Sequence, residues 1–302
     1  QYALLVENPH SVEQAVFRHL SGKREGRSEW FRCDVADAIG AIKASAPEIL
    51  FEDDRAKKAE EAALRAAAKG SAAYRRGDYA TALRELRPLA EQGVPVAQFQ
   101  LGNMYRLGKG VPKDDAEAVK WWRKAAGRGF ADAQYNLGIA YEYGHGVPVN
   151  DTEAVKWYRK AADQGFAHAQ SNLGGMYANG RGVPENDAEA VKWFRKSAEQ
   201  GNATGQFNLG VMYAKGRGVP QDFKEAVKWY RKSAEQGYAF GQAALGAMYG
   251  LGQGAEKDLA EAVKWYRKSA EQGTAYAHSN LGGLKWTGRG TNNDMVECLA
   301  WS

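Results

Sequence analysis

Cysteine is nearly absent: Cys33 and Cys298 are the only two in 302 residues. They stand too far apart to read as a metal or redox motif, and two cysteines make no disulfide framework, so the expected home is a reducing cytoplasm. No apolar run approaches the roughly 18 residues of a membrane span. The opening QYALLVENPH has neither the basic n-region nor the small-residue cleavage site of a secretory signal. The five histidines (His10, His19, His145, His168 and His278) show no ligand spacing. There is no Ser-His-Asp pattern, no H-E-x-x-H and no G-x-x-x-x-G-K-[ST], so nothing in the body of the chain reads as catalytic. Charge excess is small, with 41 Lys and Arg against 36 Asp and Glu, a net +5 and a pI near 9.0. That balance accommodates an acidic partner without specifying nucleic acid. The chain begins at Gln and stops at Trp301-Ser302 inside a repeated segment, so it is expected to be a fragment of a longer protein.

Glycine, by contrast, is abundant: 35 of 302 residues, against roughly 7% in average usage. The reason is repetition. EAVKWYRKSAEQG occurs at 225–237 and again at 261–273, and EAVKWFRKSAEQG at 189–201. Trp121, Trp157, Trp193, Trp229, Trp265 and Trp301 are each 36 apart, as are Leu101, Leu137, Leu173, Leu209, Leu245 and Leu281, each followed by Gly. A period of 34–36 without insertions from Thr81 onward predicts a mainly α fold, a solenoid of 36-residue helix–turn–helix repeats.

One unit reads as two helices. In AHAQSNLGGMYANG (167–180), Ala169, Leu173 and Tyr177 share one buried face, and Gly174 beside them admits a close neighbour. Gly180 ends that helix in the left-handed conformation, and Pro184 blocks continuation. The second helix starts at Asn186, whose Asn-x-x-Glu spacing predicts a reciprocal capping box. The same cap recurs as Asp114, Asn150, Asp222, Asp258 and Asp294, each with Glu three residues on. Ala190, Trp193 and the equivalent Trp229 face inward, and Gly201 stops the helix. A two-helix unit cannot bury its own apolar face, so each copy packs on the next. Five complete units run from about 96 to 273, and a sixth from about 276 is cut after its Trp. A divergent helical pair at 57–94 precedes them, with Gly77 and Asp78 as stop and cap but no Leu-Gly pair on its first helix.

The pattern A-x-x-x-LG-x-x-Y-x-x-G-x-G-V-P-x-D/N-x-x-E-A-x-x-W-x-x-x-A-A/S-E-Q-G resembles the Sel-like repeat (SLR) family of the tetratricopeptide superfamily over 95–302, and loosely over 57–94. The resemblance implies a right-handed α-solenoid whose concave face binds partner proteins. Ala255-Glu256 in place of Val-Pro, and Lys285 in place of Tyr, depart from the pattern late in the chain. Secreted members carry paired cysteines in each unit, and this chain does not.

The first 46 residues differ. QYALLVEN and SEWFRCD read as strands, and SVEQAVFRHL and DVADAIGAIKAS as helices capped by Ser11 and Asp34. This small α+β (βαβα) segment is too short to stand alone and is followed by a linker at 47–56. VEQAVFRHL and EWF resemble the C-terminal half of a GIY-YIG-type nuclease domain. That resemblance implies a Mg²⁺ or Mn²⁺ ion held by Glu13, with the family's other motifs upstream of Gln1. The alternative for Glu13 is an acid favoured by the helix N-terminus.

Three ladders are candidate contact surfaces. Lys192, Arg195 and Lys196 with their equivalents form a basic face, read as solvated and paired with Glu189 and Glu199 rather than as a docking site. Gln100, Asn136, Asn172, Asn208 and Asn280 form an amide ladder broken by Ala244. In tetratricopeptide relatives, such asparagines can clamp a ligand's main chain; the alternative, favoured by Met176 one turn on, is a hydrogen bond within the scaffold. A third set varies between units: Phe99, Asn103 and Arg106; Tyr135, Ile139 and Glu142; Ser171, Gly175 and Ala178; Phe207, Val211 and Ala214. Their freedom to vary implies that stacking does not need them, which makes them candidates for partner contacts; the alternative is ordinary surface drift. The leading expectation is a scaffold or adaptor without a cofactor that binds a protein or peptide, with oligomerisation open through its ends. The alternative is a metal-dependent DNA endonuclease with the solenoid as its targeting arm and nucleic acid bound by the N-terminal domain.

Overall fold

The computed structural model describes residue 62 and residues 65–286. Glu13, the βαβα segment at 1–46 and the linker at 47–56 lie outside them. The chain divides into two units at Arg65/Ala66, and the solenoid is the second.

Among the described residues every regular element is a helix. α1 (65–75) and α2 (Tyr79–Glu91) form the leading pair. Five repeated pairs follow: α3 (Pro95–Leu107) with α4 (Asp115–Gly127), α5 (Ala131–Tyr143) with α6 (Asp151–Asp163), and α7 (Ala167–Ala178) with α8 (Asp187–Glu199) come first. α9 (Ala203–Lys215) with α10 (Phe223–Glu235), and α11 (Ala239–Leu251) with α12 (Leu259–Ala270), complete them. α13 (Ala275–Trp286) opens a sixth unit. Each helix packs on its chain neighbours, and α7, α9 and α11 also touch in sequence. This is the all-α solenoid that the period predicts.

Within a unit, one contact sets the distance between the two helices. In the five repeated pairs the glycine of the Leu-Gly pair, from Gly102 to Gly246, lies under the aromatic ring that follows the repeated Trp. A Cβ at Gly102 would come within 2.6 Å of the Trp122 ring, and at Gly174 or Gly210 within 2.7 Å of Phe194 or Tyr230. Gly138 faces Tyr158 still more closely. The leading pair has the same contact in altered form: a Cβ at Gly70 would meet Leu86 at 2.6 Å. Its first helix therefore does carry the close-approach glycine. A connector shorter by one turn shifts that glycine out of the 36-residue register.

Between units the repeated Trp takes over. Trp157 packs with Val119 and Trp122 of the unit before it, Trp193 with Val155 and Tyr158, and Trp265 with Val227 and Tyr230. Trp193 is buried at 6% exposure, but Trp229 is only half-buried, so the expectation of equal burial fails there. The two adjacent aromatics thus divide the work, one filling its own unit and the other joining the previous one.

The second helices start as expected at one end of the cap only. Asp114, Asn150, Asn186, Asp222 and Asp258 accept from the amide three residues on. The reciprocal arm of the box is absent. Each cap amide already donates to a Tyr carbonyl of the first helix, as Asn186 does to Tyr177 at 3.0 Å. The Glu turns instead to Lys three residues on, as Glu189 does to Lys192.

Within each unit a further bond joins a pair of glutamines, which the periodic pattern alone does not connect. Gln164, Gln200, Gln236 and Gln272 donate through Nε2 to Oε1 of Gln134, Gln170, Gln206 and Gln242, at 2.7–2.9 Å. The latter four donate in turn to a backbone carbonyl at the end of the preceding second helix. In the unit α3–α4 Arg128 stands where the donor should be, and Gln98 Oε1 is buried without a partner.

Gly182 has φ +67°, and a Cβ there would collide with the Asp151 carbonyl oxygen, whereas Gly201 has φ +86° with open space around it. Gly201→Ala should cost about 1–2 kcal/mol from backbone conformation alone. Gly182→Ala should cost about 1–3 kcal/mol more from overpacking. Urea unfolding of the two variants decides, and equal costs would remove the close approach at Gly182. Arg128→Gln should complete the glutamine chain and stabilise by about 1 kcal/mol; the same titration checks it, and no gain would mean that Gln98 is not short of a donor.

Candidate partner-binding surface

The basic ladder lies on the second helices, and its members are occupied. Lys120, Lys156, Lys192, Lys228 and Lys264 pair with the Glu three residues earlier. Arg123, Arg159, Arg195 and Arg231 donate to the hydroxyls of Tyr141, Tyr177, Tyr213 and Tyr249 in the next unit. Lys124, Lys160, Lys196, Lys232 and Lys268 lie over Trp121, Trp157, Trp193, Trp229 and Trp265, at 3.8–4.6 Å from the ring centre. This face is a solvated surface whose cations also tie units together.

The candidate contacts lie on the first helices. Phe99, Tyr135 and Phe207 are half-buried, and their rings meet Phe130, Phe166 and Tyr238 of the next unit at 5.2–5.6 Å between centroids. The expectation that stacking can dispense with these positions is therefore corrected: the aromatic ones fill the junction. Where the position is Ser171 or Ala243, the residue facing it in register is Asn202 or Thr274, both small and polar. This paired variation, 31 residues apart, was readable in the sequence. Asn103 is likewise a frame residue, accepting from Trp122 Nε1 at 3.1 Å and Asn136 Nδ2 at 3.2 Å.

The rest of the amide ladder is less committed. Gln100, Asn136, Asn172 and Asn208 are all half-buried. Asn172 reaches the hydroxyls of Tyr135 and Tyr158. The Asn208 side chain makes no hydrogen bond to the described residues. Ile139, Gly175 and Val211 lie half-exposed beside them.

One charged centre is set into this row. The Glu142 side chain is 8% exposed and accepts from Tyr158 Oη at 2.6 Å. Arg181 donates to Glu142 at 2.8 Å and grips Asp151 through Nε and Nη2 at 3.2 and 2.8 Å. Two carboxylates share one guanidinium, leaving the centre one negative charge in excess. Arg217 repeats the grip on Asp187 and adds Glu185, but α7 offers Ala178 where α5 offers Glu142. Among the described residues no cluster of side chains is suited to a metal ion, and no helix is long and apolar enough to cross a membrane.

Stacked helix pairs with close-approach glycines, left-handed turn glycines and side-chain caps define a helical-repeat solenoid of the tetratricopeptide-like class. The Sel1 repeat model matches six consecutive stretches, 95–130, 131–166, 167–202, 203–238, 239–274 and 275–302, and the chain belongs to the Sel1 repeat family. It is similar to a Sel1 repeat protein of Oxalobacter formigenes, with 37% identity and a TM-score of 0.73, covering 78% of this chain and 94% of that one. It is also similar to c5321, described as a protective antigen of uropathogenic Escherichia coli with an SLR fold. There the identity is 38% and the TM-score 0.71, over 82% of this chain and 54% of that one. No curated protein matches the chain.

Burial, reinforced by the bond to Glu142 and its charge, pushes the Tyr158 hydroxyl well above the ordinary tyrosine range, and burial does the same at Tyr230 and Tyr266. The folded state holds these protons more tightly than the unfolded chain. Their stabilising effect is fully present below pH about 10 and is lost as pH rises above it. Tyr158→Phe should flatten that alkaline loss, measured by urea unfolding between neutral pH and pH about 11. An unchanged pH slope would sink the assignment.

Proposed function

We propose that this chain is a non-catalytic interaction scaffold whose partner is a protein or peptide segment lying across its first helices. One observation carries the reading. The cations of the second helices are occupied within the frame, whereas the outward row of first helices changes from unit to unit and keeps an amide, Asn208, without a partner. An amide can donate and accept at once, which suits it to a peptide backbone. A family of repeat scaffolds supports the reading at the level of class.

Nucleic-acid binding through the ladder is the weaker alternative, because each lysine of that face already has a carboxylate or ring beside it. The nuclease reading rests on Glu13, outside the described residues, and no observation favours it.

The test is selection from a random peptide library by the full chain, followed by affinity measurements on the winners. Asn172→Ala with Asn208→Ala should weaken binding about tenfold, the effect of roughly 1.4 kcal/mol lost across two hydrogen bonds. Lys192→Glu with Lys228→Glu should leave it within twofold. The reverse pattern, with a steep salt dependence, would move the partner to the second helices.

A further inference from the structure

The outward positions of the first helices recur every 36 residues. They are Asp132, Asn136, Ile139 and Tyr143 on α5, and His168, Asn172 and Gly175 on α7 with Asn179 at its C-cap. α9 has Thr204, Asn208, Val211 and Lys215, and α11 has Phe240, Ala244, Ala247 and Leu251. On α11 alone of these four the stripe is apolar throughout, and its ends are open to solvent, Phe240 at 54% and Leu251 at 66% exposure. Phe207 continues the patch, its ring 6.1 Å from that of Phe240. At the other end of the row sit the electronegative Glu142–Asp151–Arg181 centre and two tyrosines, half-buried Tyr135 and exposed Tyr143. The amides of Asn172 and Asn208 lie on the two helices between.

We propose that the row from α5 to α11 seats an extended peptide with a lysine or arginine at one end and a pair of leucine-like side chains about eight residues away, the spacing that helix packing implies. This rests on the scaffold reading and names the chemistry of its partner. Charge decides the basic end. The carboxylate in excess at Glu142 and Asp151 stands beside tyrosine ring faces, which attract cations. Lys215, the only lysine or arginine among the outward positions of α5 to α11, lies at the apolar end, where it repels a second cation. Apolar burial decides the other end, since Phe240 and Leu251 gain most by leaving water. The spacing follows from helix packing: three steps of about 8–10 Å separate α5 from α11, and an extended chain advances about 3.3 Å per residue. The asparagines between would meet the peptide main chain, which makes their part independent of side-chain identity.

The experiment is fluorescence anisotropy of the full chain with labelled, end-blocked twelve-residue probes. Each carries one Arg and a Leu-Leu pair separated by Ser and Gly, with the two ends in either order. At least one order should bind, and replacing its Arg by Glu or its leucines by Ser should weaken it tenfold or more. On the protein, Leu251→Asp and Phe240→Asp should each weaken the leucine-bearing probe tenfold and leave the leucine-free probe unchanged. Tyr143→Ala, on the surface, should weaken binding of the Arg probe. Glu142→Gln should do the same, with circular dichroism showing that the helices persist. Equal binding of the Glu-substituted probe, or indifference to Leu251→Asp, overturns the inference. If neither order binds while library-selected peptides still depend on Asn172 and Asn208, this peptide chemistry is wrong and the scaffold reading stands.

Discussion

The distance between the two helices of a unit is set where a ring lies on a bare backbone. Phe194 on Gly174 and Tyr230 on Gly210 leave no room for even a methyl group. That closeness gives the ring full van der Waals contact, and it brings the second helix near enough for its cap amide to reach a Tyr carbonyl on the first. The cap, the turn glycines and the position of the next unit follow from this spacing. A larger residue at the glycine would displace the whole second helix, and through it every later unit.

Because the frame is closed by few positions, others are released. Leu, Gly, Trp, the ring after it and the two glutamines account for the contacts that recur. The outward row of the first helices takes no part in most of them, and there the units differ: amides on α7 and α9, an acid on α5, apolar residues on α11. The second helices show the opposite economy. Their lysines and arginines are repeated almost letter for letter because each has a task in the frame, over a Trp ring or against a Tyr hydroxyl.

The period, the two helices, the caps and the left-handed glycines were legible in the sequence because each is a local signal repeated in fixed register. The reach of Trp193 to the previous unit was less legible, since spacing gives a face but not which neighbour covers it. The glutamine chain was missed because Gln170 and Gln200 are polar, and polarity suggests solvent until the partner 30 residues away is seen. Gly70 was missed because a shorter connector moved it out of phase. At the candidate surface the amide ladder and the variable set were found. The tyrosine and arginine around Glu142 were not, because the centre comes from two helices and a loop that only folding brings together.

The substitutions near the first joint have a mechanical meaning. Arg128 interrupts the glutamine chain inside the unit α3–α4, and at the joint after it His145 occupies the place that Arg181 and Arg217 hold later, leaving Asp115 Oδ1 buried without a partner. In a linear array, each joint contributes its own nearest-neighbour coupling. The joint between α3–α4 and α5–α6 lacks the arginine grip, and so does the joint between α9–α10 and α11–α12, where Gln253 and Phe223 stand in place of the arginine and the aspartate. The array is therefore a chain of unequal hinges, tied by an arginine on both sides of α7–α8 and softer at the joint before and the joint after. Thermal opening would part those softer joints first, while the helices that carry Asn172 and Asn208 remain assembled.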